Sequence, residues 1–339
     1  MPDKKNGQIV IAARPNGRAK TSDFQLIESP MPAAGQGQVL FRNILISMDP
    51  YQRNLMGNAS SELTPLALGQ PMAGPTVAVV EHSDNPAFAV GEHVVTWSGW
   101  QEHGVSDGAG LQKIDPDAAP LSTALGVLGH TGLTAWVGMR KFVAPKPGGT
   151  VVVTAAAGSV GSVAAQLAKL DGQRVVGIAG GPDKVRYLKE ELGLHAAVDY
   201  KAPDFAEQLA KALPSGLDTL FDNVGGYMFE ALMPHFNHHA QIVVCGTMAQ
   251  YDAPGAAPGP NRLPELLKLF LYRFIRIHGF ALPDHYDSFP DFVAEVAPLV
   301  AQGKIKYSEE FVDGFENIPA AFLRLFDGRN RGKLIARIG

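Results

Sequence analysis

The chain has 339 residues, 46% hydrophobic and 18% charged, a composition typical of a folded globular protein of about two domains. Lys and Arg total 29 against 33 Asp and Glu, and the resulting net charge of -4 argues against nucleic acid as a partner. The single cysteine, Cys245, excludes an intramolecular disulfide framework and a zinc site built from several thiolates.

No segment of the sequence has the pattern of a secretory signal or a membrane span. The opening run MPDKKNGQIVIAARPNG lacks the apolar core of a signal peptide. The most apolar later stretch, residues 265–282, is interrupted by Lys268, Arg273 and Arg276, which are too many charges for a membrane-spanning helix. We therefore expect a cytoplasmic protein that has no membrane partner.

Residues 1–126 contain short apolar or alternating runs separated by Gly and Pro turns. The clearest runs are 38–47, 76–83 and 92–97. Runs of this length and spacing predict an irregular β domain.

From residue 150 onward, apolar β-branched runs alternate with stretches in which apolar residues recur three and four positions apart. This pattern predicts an α/β domain over residues 127–300, with a doubly wound parallel sheet of six strands. The predicted strands are 150–154, 174–178, 196–200, 217–223, 241–246 and 276–280.

The final segment, residues 301–339, breaks this alternation. It predicts a strand at 309–315, a helix that begins at Asn317 and ends by Gly328, and a strand at 332–338. We expect this segment to return to the first domain. Inside the α/β half, the Pro/Gly-rich stretch 252–264 is interpreted as a lid or binding loop, with a plain connector as the alternative.

The first predicted strand of the α/β half runs into a turn of the kind that binds dinucleotides. Ala156, Gly158 and Gly161 occupy the three positions of a G-x-G-x-x-G pattern, with Ser159 and Val160 between the two glycines. Glycine in the second position lets the main chain approach a pyrophosphate, and glycine in the third lets the helix lie close to the strand. A strand before and a helix after favour a cofactor site over a turn made only for packing.

The end of the second predicted strand favours NADPH over NADH. An NAD site normally has Asp or Glu there, about 20 residues beyond the glycine turn. Here Gly180 and Gly181 leave room and carry no negative charge, and Lys184 follows where it could bind an added phosphate. Tyr200, after the third strand, could reach the same phosphate. A solvated lysine and an ordinary strand-end aromatic are the alternatives.

Several further runs occur together and in order along the chain. They are ISMDPYQRNLM (46–56), GLTAW (132–136), AAAGSVGSVAAQLAKL (155–170), RVVGIAGGPDKVRYL (174–188), FDNVGG (221–226), VCGTMAQYD (244–252), PGP (258–260) and GRNRGKL (328–334). In these runs the chain resembles the medium-chain dehydrogenase/reductase superfamily. Within it, the resemblance is to the zinc-free branch of leukotriene 12-hydroxydehydrogenase/prostaglandin reductases, plant double-bond reductases and curcumin-type reductases.

The resemblance implies a GroES-like β domain built from residues 1–126 and 301–339, a Rossmann NADP-binding domain between them, and a homodimer. It also implies that NADPH reduces the carbon–carbon double bond of an α,β-unsaturated ketone or aldehyde by hydride transfer to the β-carbon, without zinc. Two alternatives remain open. One is an NADPH quinone oxidoreductase of the zeta-crystallin type, and the other is a nucleotide-binding protein without turnover.

The resemblance assigns roles to three polar residues. Tyr251 matches a tyrosine at the active site, where a phenol with a pKa of about 10 donates a hydrogen bond to a developing enolate. Alternatively it only lines the pocket and the ribose hydroxyl is the donor. Tyr51 matches a position that lines the substrate site, or it packs. Asn330 matches an asparagine that orients the nicotinamide, or it serves a turn.

Three more residues are expected at the cofactor. Asn223 follows the fourth predicted strand, and open α/β sheets bind ligands beyond the carboxyl ends of their strands. Cys245 and Gly246 end the fifth predicted strand in the run VCGTMAQYD. Cys245 is interpreted as a buried thiol rather than a nucleophile.

The sequence departs from the family pattern at two places. The usual Gly-Met-Pro-Gly-Leu-Thr-Ala run has His130 and Thr131 in place of Met and Pro, and Arg331 stands where an aromatic residue is common. Two other features receive ordinary interpretations. The cluster at 235–239 is interpreted as solvated histidines at an element end rather than a metal site, and residues 263–274 as a core or dimer-contact helix.

Overall fold

The computed structural model of the protein describes residues 5–57, 64–252 and 260–338. Its strands are β1 (Lys5–Ile11), β2 (Phe24–Pro30), β3 (Val39–Met48), β4 (Thr76–Ser83), β5 (His93–Thr96), β6 (His103–Ser106), β7 (Gln112–Ile114), β8 (Thr150–Val153), β9 (Arg174–Ala179), β10 (Ala196–Asp199), β11 (Leu217–Asp222), β12 (Phe236–Val244), β13 (Arg276–Gly279), β14 (Glu309–Asp313) and β15 (Lys333–Arg337). Its α-helices are α1 (Gln52–Leu55), α2 (His130–Lys141), α3 (Ser159–Leu170), α4 (Pro182–Arg186), α5 (Phe205–Ala212), α6 (Gly226–Leu232), α7 (Leu263–Arg273), α8 (Phe289–Ala301) and α9 (Ile318–Leu323).

The chain divides into two compact units, Met1–Gly126 with Glu309–Gly339, and Val127–Ser308. Most of the stretch 252–264, predicted to be a lid or binding loop, lies outside the described residues, because the description stops after Asp252 and resumes at Pro260.

The first unit is built on a mixed sheet with the strand order β14-β15-β3-β4-β5-β7, and β6 pairs with β3. Within it β14 and β15 are parallel, whereas β15 is antiparallel to β3, with Leu334 opposite Met48. One side of the core is aromatic. Trp100 is 0% exposed, its ring centroid lies 5.4 Å from that of Phe24, and Phe322 meets it edge-on at 5.3 Å. This packing joins residues from both ends of the chain.

The second unit is built on a parallel sheet. Within the described ranges it has six strands in the order β10-β9-β8-β11-β12-β13. Every residue of β8 and of β11 is buried, because helices cover both faces of such a sheet. The predicted α/β fold class, with a six-stranded parallel sheet beside a β domain, is confirmed.

Two element limits differ by several residues from the sequence prediction. Strand β12 begins at Phe236 rather than at residue 241, and the polar residues 237–239 interrupt the apolar pattern by which a strand is recognised. His238 and His239 therefore lie inside this strand rather than at an element end. His239 has φ of +63°, and its ring stacks on that of Phe274 with centroids 5.2 Å apart. Helix α9 ends at Leu323, earlier than predicted.

Helix α7 carries a row of exposed leucines. Leu263, Leu267 and Leu271 are 55%, 54% and 63% exposed. Other residues of the helix, Leu266, Leu269 and Phe270, are partly buried and pack against the core of the second unit, as predicted for a core helix. The neighbouring strand β13 lies at one edge of the parallel sheet, and all four of its residues are exposed. In the described parts of the chain, no helix is both long enough and apolar enough to cross a membrane.

Candidate functional site

The turn after β8 has the geometry of a dinucleotide-binding turn. Gly158 is the N-cap of α3, and Ser159 and Val160 are the first residues of that helix. A Cβ on Gly161 would lie 2.4 Å from the carbonyl oxygen of Ala155, so no side chain fits there. The absence of a side chain lets α3 start directly against the turn, with its free N–H groups at the turn.

Ala156 fills the space between this turn and the neighbouring strand. It is 0% exposed, and its N–H donates to the carbonyl of Ile178 at 3.0 Å. A Cβ on Gly177 would lie 3.0 Å from the Ala156 methyl group. The first position of the pattern therefore holds the turn against β9.

A buried carboxylate that the sequence analysis missed joins the carboxyl ends of β8 and β11. Thr154 Oγ1 donates to Asp222 Oδ1 at 2.7 Å, and the N–H of Asn223 donates to Thr154 Oγ1 at 2.8 Å. Asp222 Oδ1 also accepts the N–H groups of Val224 and Gly225, at 3.0 and 3.1 Å. Asn223 Nδ2 donates to the Thr154 carbonyl at 2.7 Å, which fixes the orientation of its amide.

The same aspartate positions the end of β12 through its main chain. The carbonyl of Asp222 accepts the N–H groups of Cys245 and Gly246, at 2.8 and 3.1 Å. Burial, together with the Asp222 carboxylate, raises the pKa of Cys245 to about 12, so the thiol stays protonated and is not a nucleophile. A Cβ on Gly246 would lie 3.0 Å from the Asn223 carbonyl oxygen and 3.5 Å from the Tyr251 hydroxyl. Gly246 thus leaves room for that hydroxyl.

Tyr251 follows a single 3-10 turn, Met248–Gln250. Its N–H donates to the carbonyl of Met248 at 3.3 Å, and the N–H of Ala249 donates to that of Val224 at 3.0 Å. The Tyr251 side chain is half-buried. The tyrosine is therefore held at the carboxyl edge of the parallel sheet, where such sheets bind ligands.

The loop after β9 has unoccupied space at the position where we expect the extra phosphate of NADPH. Gly181 has φ of +93°, and a Cβ built on it would meet nothing within 4 Å. Its N–H donates to Asp199 Oδ1 at 2.8 Å, and the same oxygen accepts the N–H of Lys201 at 2.9 Å. Lys184 lies in α4, which begins directly after this glycine, and is half-buried.

Tyr200 lies against the backbone of this loop. A Cβ on Gly180 would lie 2.8 Å from Cε1 of the Tyr200 ring, and the N–H of Tyr200 donates to the Ala179 carbonyl at 3.1 Å. Burial, followed by the nearby Asp199 carboxylate, raises the pKa of the Tyr200 hydroxyl. The hydroxyl therefore keeps its proton and remains a hydrogen-bond donor at neutral pH.

The first unit carries the other two candidates. Tyr51 precedes α1, is half-buried, and its hydroxyl lies 3.8 Å from the position of a Cβ on Gly74. Asn330 precedes β15, and its Nδ2 donates to the carbonyl of Gly332 at 3.3 Å. The neighbouring Arg331 is exposed, and its N–H donates to Glu310 Oε2 at 3.3 Å.

A buried ion pair in the first unit also escaped the sequence analysis. Lys333 Nζ donates to Asp49 Oδ1 at 2.9 Å and to the Met48 carbonyl at 2.8 Å. Asp49 Oδ2 accepts the Ser47 hydroxyl, and the Asp49 N–H donates to Gln52 Oε1 at 2.8 Å. Burial lowers the pKa of Lys333, although the carboxylate opposes that shift. The sequence contains a signal for each residue, because Lys333 begins an apolar strand and Asp49 directly follows one.

The two positions of the Gly-Met-Pro-Gly-Leu-Thr-Ala run at which this sequence departs from the family pattern lie at the start of helix α2. His130 and Thr131 are its first residues, and Thr131 is only 3% exposed. The carbonyl of His130 accepts Thr134 Oγ1 at 2.7 Å. Among the described residues, no group of three or more His, Cys, Asp or Glu side chains is arranged to hold a metal ion.

The chain is similar to known proteins over nearly its whole length. The family profile described as N-terminal domain of oxidoreductase matches residues 7–114, and that described as zinc-binding dehydrogenase matches residues 159–297. The NADPH-dependent curcumin reductase of Escherichia coli (strain K12) is 42% identical over 336 residues, covering 99% of this chain and 97% of that protein. The 2-alkenal reductase (NADP(+)-dependent) of Nicotiana tabacum is 35% identical over 340 residues, covering 98% and 97%.

A solved structure extends this similarity to the fold. The crystal structure of CurA from Vibrio vulnificus in complex with NADPH has a TM-score of 0.94 and 42% identity, and the match covers 98% of this chain and 99% of that one.

Proposed function

Since this chain belongs to the zinc-free double-bond reductases of the medium-chain dehydrogenase/reductase superfamily, we propose that it reduces the carbon–carbon double bond of α,β-unsaturated ketones and aldehydes with NADPH. The observation that carries this proposal is the Tyr251 hydroxyl beside Gly246, at the sheet edge that also bears the glycine turn. That edge combines a hydrogen-bond donor with a dinucleotide site, which is what reduction of an enone requires.

The residues at this edge fit the cofactor. The pyrophosphate would lie at the start of α3, against Gly158, Ser159, Val160 and Gly161, with Ala156 supporting the turn. The open space at Gly181 suits an added phosphate, which carries negative charge that a lysine can balance.

The remaining cofactor residues divide between the two halves of the cofactor. Gly180, Lys184 and Tyr200 would hold the adenosine phosphate. Asn223, Cys245 and Gly246 would line the nicotinamide half, and we assign Asn330 to the carboxamide. The half-buried positions of Lys184, Tyr200, Asn223 and Asn330 support these roles, because such side chains are held in place yet reachable.

When bound, NADPH would supply the hydride for the β-carbon, and negative charge would then develop on the substrate carbonyl oxygen. A proton from solvent at the α-carbon would complete the reduction. The Tyr251 hydroxyl donates a hydrogen bond to that oxygen, and this interaction strengthens as the charge grows. A phenol with a pKa of about 10 stays protonated at neutral pH and so can donate throughout. Tyr51 packs against the substrate.

We assign residues 1–126 and 301–339 to a GroES-like substrate domain, and residues 127–300 to an NADP-binding domain. We further propose a homodimer in the cytoplasm. The exposed face of α7 and the open edge of β13 support the dimer, because an unpaired edge strand next to exposed leucines is a surface that a second copy can cover.

The test follows the loss of reduced nicotinamide absorbance with a panel of enones, simple quinones and secondary alcohols, each repeated with NADH and with a chelator. The expected result is chelator-insensitive oxidation of NADPH by enones, with the saturated ketone identified as product. Activity confined to quinones would replace this proposal with a quinone oxidoreductase. Tight binding of NADPH without turnover on any compound would favour a non-catalytic nucleotide-binding protein.

A further inference from the structure

Two tyrosine rings meet above the carboxyl edge of the parallel sheet. Tyr200 follows β10, and Tyr227 lies in the first turn of α6, after β11, yet their ring centroids are only 6.2 Å apart. Three strand spacings of about 4.8 Å separate β10 from β11. The two side chains therefore reach toward each other across the ends of β9 and β8, which lead into the phosphate loop and the glycine turn.

Backbone hydrogen bonds and glycines fix the position of Tyr227. The Gly225 N–H donates to both carboxylate oxygens of Asp222 at 3.1 Å. Gly225 and Gly226 have φ of +68° and +54°, a region that favours glycine, and a Cβ on Gly226 would lie 3.1 Å from the Ala249 methyl group. The turn is thus set before α6 begins, and it aims Tyr227 away from the core.

The Tyr227 ring is exposed, although the backbone turn before it is fixed by hydrogen bonds. Its side chain is 53% exposed, although it lies next to Tyr200, which is half-buried. The ring planes are inclined at 57°, so the two rings do not stack on each other and an aromatic face stays open. A preorganised, open aromatic face is what stacking of a nucleobase requires.

We propose that Tyr200 and Tyr227 form an adenine-binding platform for NADPH, and that Tyr227 supplies the ring on which the base stacks. This inference rests on the proposed function only in taking NADPH as the cofactor. The Gly180 backbone beneath Tyr200 and the open space at Gly181 place the adenosine phosphate next to the platform. The ligand recognised by this end of the site is therefore an adenosine 2'-phosphate.

The test uses 2',5'-ADP, which contains this half of the cofactor and lacks the nicotinamide. Calorimetric titration of Tyr227→Ala should give binding about tenfold weaker than wild type, whereas Tyr227→Phe should stay within about twofold because the ring is kept. Tyr286→Ala, at a tyrosine that is 39% exposed in the same unit, serves as the matched control and should bind like wild type.

A second readout separates stacking from a structural effect. In wild type and in Tyr227→Phe, ring currents should shift the adenine H2 and H8 resonances of bound 2',5'-ADP upfield, and Tyr227→Leu should abolish most of that shift. Equal affinity of wild type and Tyr227→Ala, or unchanged adenine shifts in Tyr227→Leu, would overturn the platform. Failure of the wild type to reduce any enone, with 2',5'-ADP binding and shifts as expected, would instead overturn the proposed function alone.

Discussion

Lys333 Nζ lies 2.9 Å from Asp49 Oδ1, and the two side chains are only 3% and 5% exposed. Lys333 follows Asn330 by three positions, and Asp49 precedes Tyr51 by two, so the ion pair joins the segments that carry both candidate residues of the first unit. Removing both charges from water is costly, and their pairing, with a further bond to the Met48 carbonyl, offsets this cost. The pair therefore holds the two segments in a defined register.

Replacing Lys333 should destabilise the protein strongly. Lys333→Met leaves the Asp49 carboxylate buried without its cation, and we expect a loss of about 3 to 5 kcal/mol in the free energy of unfolding, measured with urea at neutral pH. Lys304→Met, at an exposed lysine, should change stability by less than about 0.5 kcal/mol. Adding Asp49→Asn to Lys333→Met should recover part of the loss. A loss below about 1 kcal/mol for Lys333→Met would show that the pair is dispensable.

Asp218 should make the protein sensitive to acid. Burial opposes its charged form, but hydrogen bonds from Lys146, from the Thr150 N–H and from Asn237 outweigh burial and hold the pKa of Asp218 below its ordinary value. The resulting stabilisation is complete above the unfolded-state pKa of about 3.9 and is lost as pH falls through the lower, folded-state pKa.

Urea unfolding at several pH values tests this expectation. Asp218→Asn should be less stable than wild type at neutral pH, and the difference should shrink as pH falls below about 4. Added salt should reduce part of this stability difference, because the Lys146 side chain that pairs with Asp218 is 65% exposed and is screened by ions. Asp284→Asn, at an exposed aspartate, is the control. A difference that stays constant down to the folded-state pKa would show that the charge of Asp218 contributes nothing.

Replacing Lys184 should weaken NADPH selectively. Lys184→Ala removes a cation beside the open space at Gly181, and we expect NADPH to bind about tenfold more weakly while NADH is little affected. Titration of each nucleotide measures both constants, with Lys189→Ala, at an exposed lysine in the next helical turn, as the control. Equal weakening of NADPH and NADH would remove Lys184 from the phosphate site.

Tyr251→Phe should lower turnover more than cofactor affinity. Without the hydroxyl, the developing charge on the carbonyl oxygen loses one donor, and we expect kcat to fall about 100-fold while the Kd for NADPH stays within about twofold. Steady-state kinetics with the best enone of the panel and a binding titration give the two values. Unchanged kcat would leave the ribose hydroxyl as the sufficient donor.

The two glycines of the turn should differ in their tolerance of alanine. A Cβ at position 161 would lie 2.4 Å from the Ala155 carbonyl oxygen, whereas one at position 158 would lie 3.2 Å from the same atom. Gly161→Ala should therefore destabilise the protein by about 1 to 3 kcal/mol and weaken NADPH binding, with a smaller effect for Gly158→Ala. Thermal unfolding and nucleotide titration of both variants provide the comparison, and the reverse order would contradict it.

Local sequence was enough to predict the parallel sheet, because short runs that are mainly apolar, such as TVVV in β8, alternate with stretches of helical period. It failed for the first half of β12, where polar residues occupy a strand held by its neighbour β11. The turn at Ala156–Gly161 could likewise be recognised from adjacent residues. The partners of Asp222 and Lys333 could not, because Thr154 is 68 positions from the first and Asp49 is 284 from the second.

The pairing of β15 with β3 sets an order of assembly during synthesis. Strands β8 to β13 all belong to one continuous stretch, so the ribosome synthesises every strand of the second unit's sheet before it adds residue 309. In contrast, Met48 pairs with Leu334, and Asp49 pairs with Lys333. Both partners are synthesised near the end of the chain. A nascent chain that ends before residue 333 lacks both the cation that pairs with Asp49 and the strand that pairs with β3. The sheet of the first unit is therefore completed only after the last residues have been synthesised.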